Sequence, residues 1–445
     1  MQLRSIRRLL LCFIVLTLSV PSFAQGYRGT DFWLAFPQNA VVEGNKVLNT
    51  SLFIASEVRT KGTVTVGDSI IPFTVETGAS IRIDLDTNIE IQSNGVTEKK
   101  AVHLVCDHDI SLYAVSHRAA STDSYMAIPT EYLGTEYVIA GYTTLPNGLT
   151  GFTSQAVILA TENNTIVTIK LVAPARTGQP AGRNVEFVLN KGETFQIKGS
   201  LLSGDLTGSS ITSTKPVAVF TGHGCAQVPP TKRFCDMLLE EEPPANDWGK
   251  DYVLTKFSGK DYYVARVIAQ EDSTKVFVNG IARGTLAKGT FLEIDSFHFD
   301  ALIHASQPVL VAQYATSSEA DTIKIGDPFM LLAVPSDRGL IELTTNSVTS
   351  GGFQHYLNIV VPDSGAKTLR VDGALIGTGQ PPMGVTVESV RPFAPAKATI
   401  LSLRVPEGRH MISCSAPVEV YSYGFGVGNE DYDSYGHACG MRLSK

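Results

Sequence analysis

The chain has 445 residues, of which 18% are charged, with 36 Lys and Arg against 43 Asp and Glu for a formal charge of −7. No stretch gathers Lys and Arg into a basic stripe, so nucleic acid is excluded as an expected partner, because phosphate neutralisation needs clustered cations. Plentiful Gly, Val, Thr and Ile with sparse charge favour all-β structure over helices.

The first 24 residues read as a secretory leader. Arg4, Arg7 and Arg8 open it, an apolar run from Leu9 to Leu18 follows, and Ser22-Phe-Ala24 offers small residues for cleavage between Ala24 and Gln25. Losing those three arginines takes the formal charge from −7 to −10. No later segment has the apolar length of a membrane span, so no membrane insertion is expected. The expected location is extracellular or at the cell surface, with the periplasm as the alternative.

After the leader, one phrase returns four times: Leu104–Tyr113, Ile211–Phe220, Ile303–Ala312 and Ile412–Tyr421. A spacing near a hundred residues is too long for a solenoid turn and suits a β-sandwich unit. Openings share Gly-x-acid-aromatic-apolar, as in Gly29-Thr-Asp-Phe-Trp33, Gly134-Thr-Glu-Tyr-Val138 and Gly249-Lys-Asp-Tyr-Val253, with Gly339 starting a degraded copy. Within each unit an apolar strand precedes an alternating one, such as Thr63-Val-Thr-Val66 or Lys275-Val-Phe-Val278, the period-two mark of a half-buried strand. Gly67-Asp68, Asn279-Gly280 and Asp372-Gly373 sit at matching places and suit two-residue hairpins. In the second unit that hairpin is lengthened by Ala173–Asn184, expected to be a mobile loop. Pro216, Pro308 and Pro417 are expected at the start of each unit's last strand.

The expected fold is therefore a tandem array of about four β-sandwich-like, Ig- or jelly-roll-like repeats: 25–133, 134–248, 249–338 and 339–445. Two larger sandwiches, or one closed assembly, are the alternatives.

Chemistry is sparse. There is no Gly-x-Ser-x-Gly elbow, phosphate loop or His-Glu-x-x-His. His103, His108 and His117 with Asp107 and Asp109 form one conceivable metal group, and His223 with Cys225 and Asp236 one conceivable nucleophilic group. A disulfide between Cys225 and Cys235 is the simpler reading of the latter, Cys414 with Cys439 is the second expected pair, and Cys106 is left over. Glu240-Glu-Glu242 and Asn429–Asp433 read as solvated acidic loops, with calcium a minor alternative; no cofactor and no metal site is expected. Trp248 and the aromatic set Tyr421, Tyr423, Tyr432 and Tyr435 are the candidate binding residues.

Longer motifs then add a resemblance. Gly29–Asn39, Ile128–Tyr137, Ser213–Cys225, Pro243–Gly249 and Asp433-Ser-Tyr-Gly436 together resemble the N-terminal domain of the IgG Fc-binding protein family, best over about 121–426. The resemblance implies a binding role associated, in the animal protein, with antibody Fc, and it carries over no catalytic residue. The leader and the cysteine-poor sequence point to a bacterial secreted member, for which binding of Fc is not the expectation. The expected function is non-enzymatic recognition of an extracellular protein or glycan through surface loops, as in adhesion. The rivals are a secreted hydrolase or metal-dependent enzyme using the His103–His117 or His223–Asp236 region, and a purely structural spacer.

Overall fold

A computed structural model describes residues 27–41, 48–85, 87–144, 151–347, 352–376, 380–427 and 432–445. The leader and its cleavage point at Ala24 and Gln25 lie outside the described residues. Strands fill the described chain, interrupted by five single 3-10 turns and no α-helix. Among the described residues no helix is long and apolar enough to cross a membrane.

Each repeat is built on one long strand that serves two layers. In the first, Val102–Arg118 pairs through its first half with Gly29–Leu34 and Thr60–Val66, and through its second half with Asn49–Ser56 and Ser121–Met126. Ser210–Gln227, Ala301–Ala315 and Arg409–Gly426 are used the same way. The recurring sequence phrase therefore straddles the changeover between two sets of partners. Pro216, Pro308 and Pro417 stand inside these strands, not at their start as expected. Their position costs no ladder bond: pairing with one outer neighbour ends at Ser213, Ala305 and Ser413, and pairing with the inner neighbour resumes at Val217, Val309 and Glu419.

Local sequence dictates the corners. Asn279-Gly280 and Asp372-Gly373 have both residues at positive φ, between 49° and 78°, which a two-residue hairpin of this hand requires. The opening Gly-x-x-Tyr is a built corner as well. The Gly134 N–H donates to Tyr137 Oη at 2.7 Å, and that hydroxyl donates to the Val217 carbonyl at 2.7 Å. Gly249, Tyr252 and Val309 repeat the arrangement. A Cβ at Gly134 would lie 2.7 Å from Pro244 Cβ, and one at Gly249 2.5 Å from Pro335 Cβ.

Ala173–Asn184 is not a detached mobile loop. Ala175 is buried, and backbone bonds such as Arg176 N to Lys198 O at 2.8 Å hold the segment onto its own sheet. The short strand Thr97–Glu98, within the first expected unit, adds to the second sheet beside Thr194–Lys198.

The array closes on itself. The innermost strands, Ser121–Met126, Cys235–Glu241, Met330–Leu332 and Ser434–Ala438, touch in a cycle, each meeting the next and the fourth meeting the first. Asp123 sits at their hub, fully buried. Its Oδ2 accepts the N–H groups of Leu239 (2.9 Å) and Met330 (3.2 Å), and its Oδ1 accepts those of Ser124 (2.9 Å) and Gly436 (3.2 Å). Burial pushes this carboxyl well above its ordinary range, while the four donors pull the other way.

Glu240, Glu241 and Glu242 are buried strand and connector residues, not the solvated acidic loop expected. Glu240 and Glu241 accept N–H groups from other repeats, from Leu332 (3.2 Å) and Ile128 (3.0 Å), and Glu242 accepts one from Ala140 (2.7 Å) of its own repeat. The connections between sheets expose backbone donors that no ladder satisfies, and these carboxyls supply acceptors.

Candidate recognition face

In every repeat the long strand reverses through a connector into the inner strand, and the ring brings these four connectors to one end. The connectors are Ala119–Ala120, Val228–Phe234, Thr316–Phe329 and, in the fourth repeat, the stretch of which Val427, Tyr432 and Asp433 are described. Contacts tie them together. Ser317 N donates to the Val228 carbonyl at 2.7 Å, and Arg233 donates from its backbone N and its Nε to Glu319 at 2.9 and 3.0 Å. Ser434 Oγ donates to the Asp327 carbonyl at 2.6 Å, and Thr122 Oγ1 donates to Asp433 Oδ2 at 2.7 Å. The Phe234 and Tyr432 rings stack with centroids 5.4 Å apart.

Beneath these loops lie three buried carboxyls, Asp236, Asp327 and Asp433. Burial, with the neighbouring Asp433 and Asp327 charges, pushes Asp236 well up; burial raises Asp327 to about 6. Burial also raises Asp433, against the pull of His117, whose Nδ1 lies 3.4 Å away. Among the described residues no group of three or more His, Cys, Asp or Glu is arranged to hold a metal ion. At the other end of the ring, Met126, Ile128, Trp248, Tyr252 and Met441 line an apolar cavity of about 30 Å³, room for a water molecule or two and no ligand.

The structure separates the expected site residues. Tyr432 is 48% exposed and lies on the loop face. Tyr421, Tyr423, Tyr435 and Trp248 are buried and offer no surface contact. Tyr421 Oη accepts from Val334 N at 3.0 Å, and Tyr423 Oη from Ser258 N at 2.9 Å. Tyr435 Oη lies 2.9 Å from His355 Nδ1, and Trp248 Nε1 donates to the Pro243 carbonyl at 3.3 Å. The physical reason is the ring: Tyr435 belongs to an inner strand and the others flank the seams, so aromatic bulk fills contacts between sheets.

Cys225 and Cys235 form a disulfide, as expected, across the base of the second connector. Cys414 and Cys439 do not: both are buried free thiols, Cys414 against Thr368 and the Gly365 carbonyl, Cys439 beside the hub strands. Cys106 is a free, half-buried thiol whose burial, with Asp109 and Asp107 nearby, raises it to about 12. His103 stacks on Trp33 with centroids 3.9 Å apart, and His117 turns to Asp433, so the three histidines of that strand do not converge. His223 is buried and receives the Cys225 N–H at 3.0 Å, and Cys225 is already spent in the disulfide, which leaves no thiol for nucleophilic chemistry. Residues 428–431 of the second acidic stretch lie outside the described residues.

Comparison with known proteins follows the same lines. A family model described as IgGFc binding protein matches residues 123–424. The chain belongs to this family. The human IgGFc-binding protein is 25% identical over 359 residues, covering 78% of this chain but 6% of the human one, so the chain spans a small fraction of that relative's length. The match is to a human protein, and the bacterial source expected from the sequence finds no support in it. Among solved structures, one of a bacterial ice-binding adhesin aligns with 64% of this chain and 90% of its own at 9% identity, with a TM-score of 0.12, too low to carry any inference about the fold.

The family is one of binding proteins, and the residues that sequence reading passed over are the exposed ones. Phe234, Arg233 and Glu319 carry no motif. A usable signal did exist for what lies below them: Asp123-Ser-Tyr-Met, Asp236-Met-Leu-Leu, Asp327-Pro-Phe-Met and Asp433-Ser-Tyr-Gly recur at or beside the start of each inner strand.

Proposed function

We propose that the chain is a secreted, non-enzymatic binding protein that recognises an extracellular protein through the face where its four connectors meet, as in adhesion or an extracellular matrix. The observation that carries this reading is the convergence itself. Segments from all four repeats assemble a surface around exposed Phe234 and Tyr432, held in place by the disulfide and by bonds between loops. Aromatic and arginine side chains on a pre-ordered backbone are the usual source of binding energy at protein interfaces. The human relative's name states that it binds IgG Fc, and Fc is one candidate ligand among extracellular proteins. The reading involves no cofactor and no membrane insertion.

The test is an array of purified extracellular proteins and glycans, IgG Fc included, probed with the intact chain and with a Phe234→Ala/Tyr432→Ala variant. A protein retained by the wild type and lost by the variant supports the reading. Retention that the variant leaves unchanged, glycan binding alone, or turnover of a substrate overturns it.

A further inference from the structure

The third connector of the face, Thr316–Phe329, is wound around one buried amine. Lys260 stands in the corner between the strands Gly249–Leu254 and Tyr263–Ala269. Its Nζ donates to the carbonyls of Thr316 (2.7 Å), Ile325 (2.8 Å) and Gly326 (2.7 Å) and to Asp321 Oδ2 (2.9 Å). The Phe425 ring closes a further side, its centroid 5.0 Å from Nζ. The side chains of Lys260 and Asp321 are both fully buried. Asp261, next in sequence, grips the same loop. Its backbone N–H donates to Asp321 Oδ1 at 2.8 Å, and its Oδ2 accepts the N–H and the hydroxyl of Thr322, each at 2.8 Å.

Four oxygens facing one nitrogen select the charged amine. An ammonium has three N–H donors and no lone pair, whereas a neutral amine would turn its lone pair on one of these oxygens. Burial pulls the Lys260 amine below its ordinary range, and the Asp321 carboxylate opposes that pull. A shell of carbonyl and carboxylate oxygens is what proteins offer to free hard cations; here the cation arrives on a side chain of the same repeat. The loop so held also carries Glu319, which accepts from Arg233 of the second connector, and Ser317, whose N–H donates to the Val228 carbonyl. Order in the third connector is thereby passed to the second.

We infer that Lys260 is a positioning residue of the recognition face: its ammonium is a built-in cation that shapes the third connector, and with the side chain removed the oxygen shell is a site for a free ammonium or short alkylammonium ion. The inference rests on the proposed binding role for its functional meaning, and it names the residue that orders the face. Lys260 itself is buried and touches no ligand.

Loop order is read by trypsin, which cuts after Lys324, an exposed residue of the connector. In the intact chain, Lys260→Ala is expected to speed cleavage between Lys324 and Ile325 by about tenfold or more, because it opens the loop and strands the Asp321 charge. Ammonium or propylammonium chloride is expected to slow that cleavage again, and sodium chloride at equal ionic strength is not. Should Lys260→Ala fail to fold, its recovery on refolding with ammonium and not with sodium is the equivalent result. Lys260→Met/Asp321→Asn leaves no unpaired buried charge; it should be cut faster than the wild type and ignore ammonium. Alkylation of the buried thiols Cys414 and Cys439 monitors the sheets and is expected to stay absent in the folded variants. Cleavage unchanged in both variants overturns the inference, as does a Lys260→Ala chain that ammonium neither orders nor refolds better than sodium. Cys414 and Cys439 reacting in step with loop cleavage in both variants also overturns it, since Lys260 then supports the whole fold. Every readout is free of ligand, so a failure here leaves the binding role standing, and a failed protein array leaves the loop result standing.

Discussion

The Asp123 carboxylate accepts the backbone N–H of Met330, 207 residues further along the chain, at 3.2 Å. The same side chain takes N–H groups from Leu239 and Gly436, so one buried residue joins the inner strands of all four repeats.

Asp123→Ala removes the acceptor and leaves three inter-repeat N–H groups buried without partners. Each such group costs about 1–3 kcal/mol, so a loss of roughly 3 kcal/mol or more is expected in urea denaturation. Asp123→Asn, which keeps one carbonyl oxygen, should fall between. A loss below about 1 kcal/mol for the alanine variant would show that the ring does not depend on this hub.

The corner at Gly134 predicts two separable defects. Gly134→Ala forces a methyl against Pro244, a clash worth about 1–3 kcal/mol, and Pro244→Gly in the same chain should recover part of it. Tyr137→Phe leaves the Gly134 N–H and the Val217 carbonyl unpaired and should cost about 1–3 kcal/mol without any clash. Thermal denaturation of the three variants separates packing from hydrogen bonding; no recovery in the double variant argues against the packing account.

Stability should fall as pH rises through neutrality. Burial lifts Glu242 and Glu419 from 4.5 to about 8, so the folded chain keeps protons that the unfolded chain has released. Their contribution is full below about 4.5 and is lost as pH rises towards 8, at about 1 kcal/mol per pH unit for each group. The buried His223 and His437, depressed to about 3, act oppositely but only below their ordinary 6.5. Lys198, held down at about 8, acts only above that. Between pH 6.5 and 8 the carboxyls act alone among these groups. The urea midpoint is expected to drop across that window, and less steeply in Glu242→Gln. A flat or rising midpoint contradicts the assignment.

Alkylation in denaturant without reductant is expected to label Cys106, Cys414 and Cys439 and to spare Cys225 and Cys235. In the native chain only Cys106 should react, and slowly, because its thiol is raised to about 12. Peptide mapping reads both states, and protection of Cys414 or Cys439 in denaturant would show a second bridge.

Where the controlling interactions are short in range, the residues themselves announced the structure. Asn279-Gly280 and Asp372-Gly373 made their turns because positive φ is a property of those residue types, and alternating runs such as Lys275–Val278 became strands by their own periodicity. Cys225 and Cys235 lie ten residues apart on two paired strands, so their bridge was legible too. Cys414 and Cys439 failed as a pair because each packs into a different surrounding: Cys414 on Gly365 and Thr368, Cys439 near the hub.

By itself, then, the sequence determined an all-β chain of repeated sandwich-like units, their hairpins and one disulfide. Only the tertiary structure decided that the units close around Asp123, that Glu240–Glu242 and the tyrosines Tyr421, Tyr423 and Tyr435 face inward, and that Arg233, Phe234 and Tyr432 are left outside. Period-two alternation tells which residues share a face of a strand. Whether that face meets water or another repeat is set by surfaces more than a hundred residues away, and no local pattern records them.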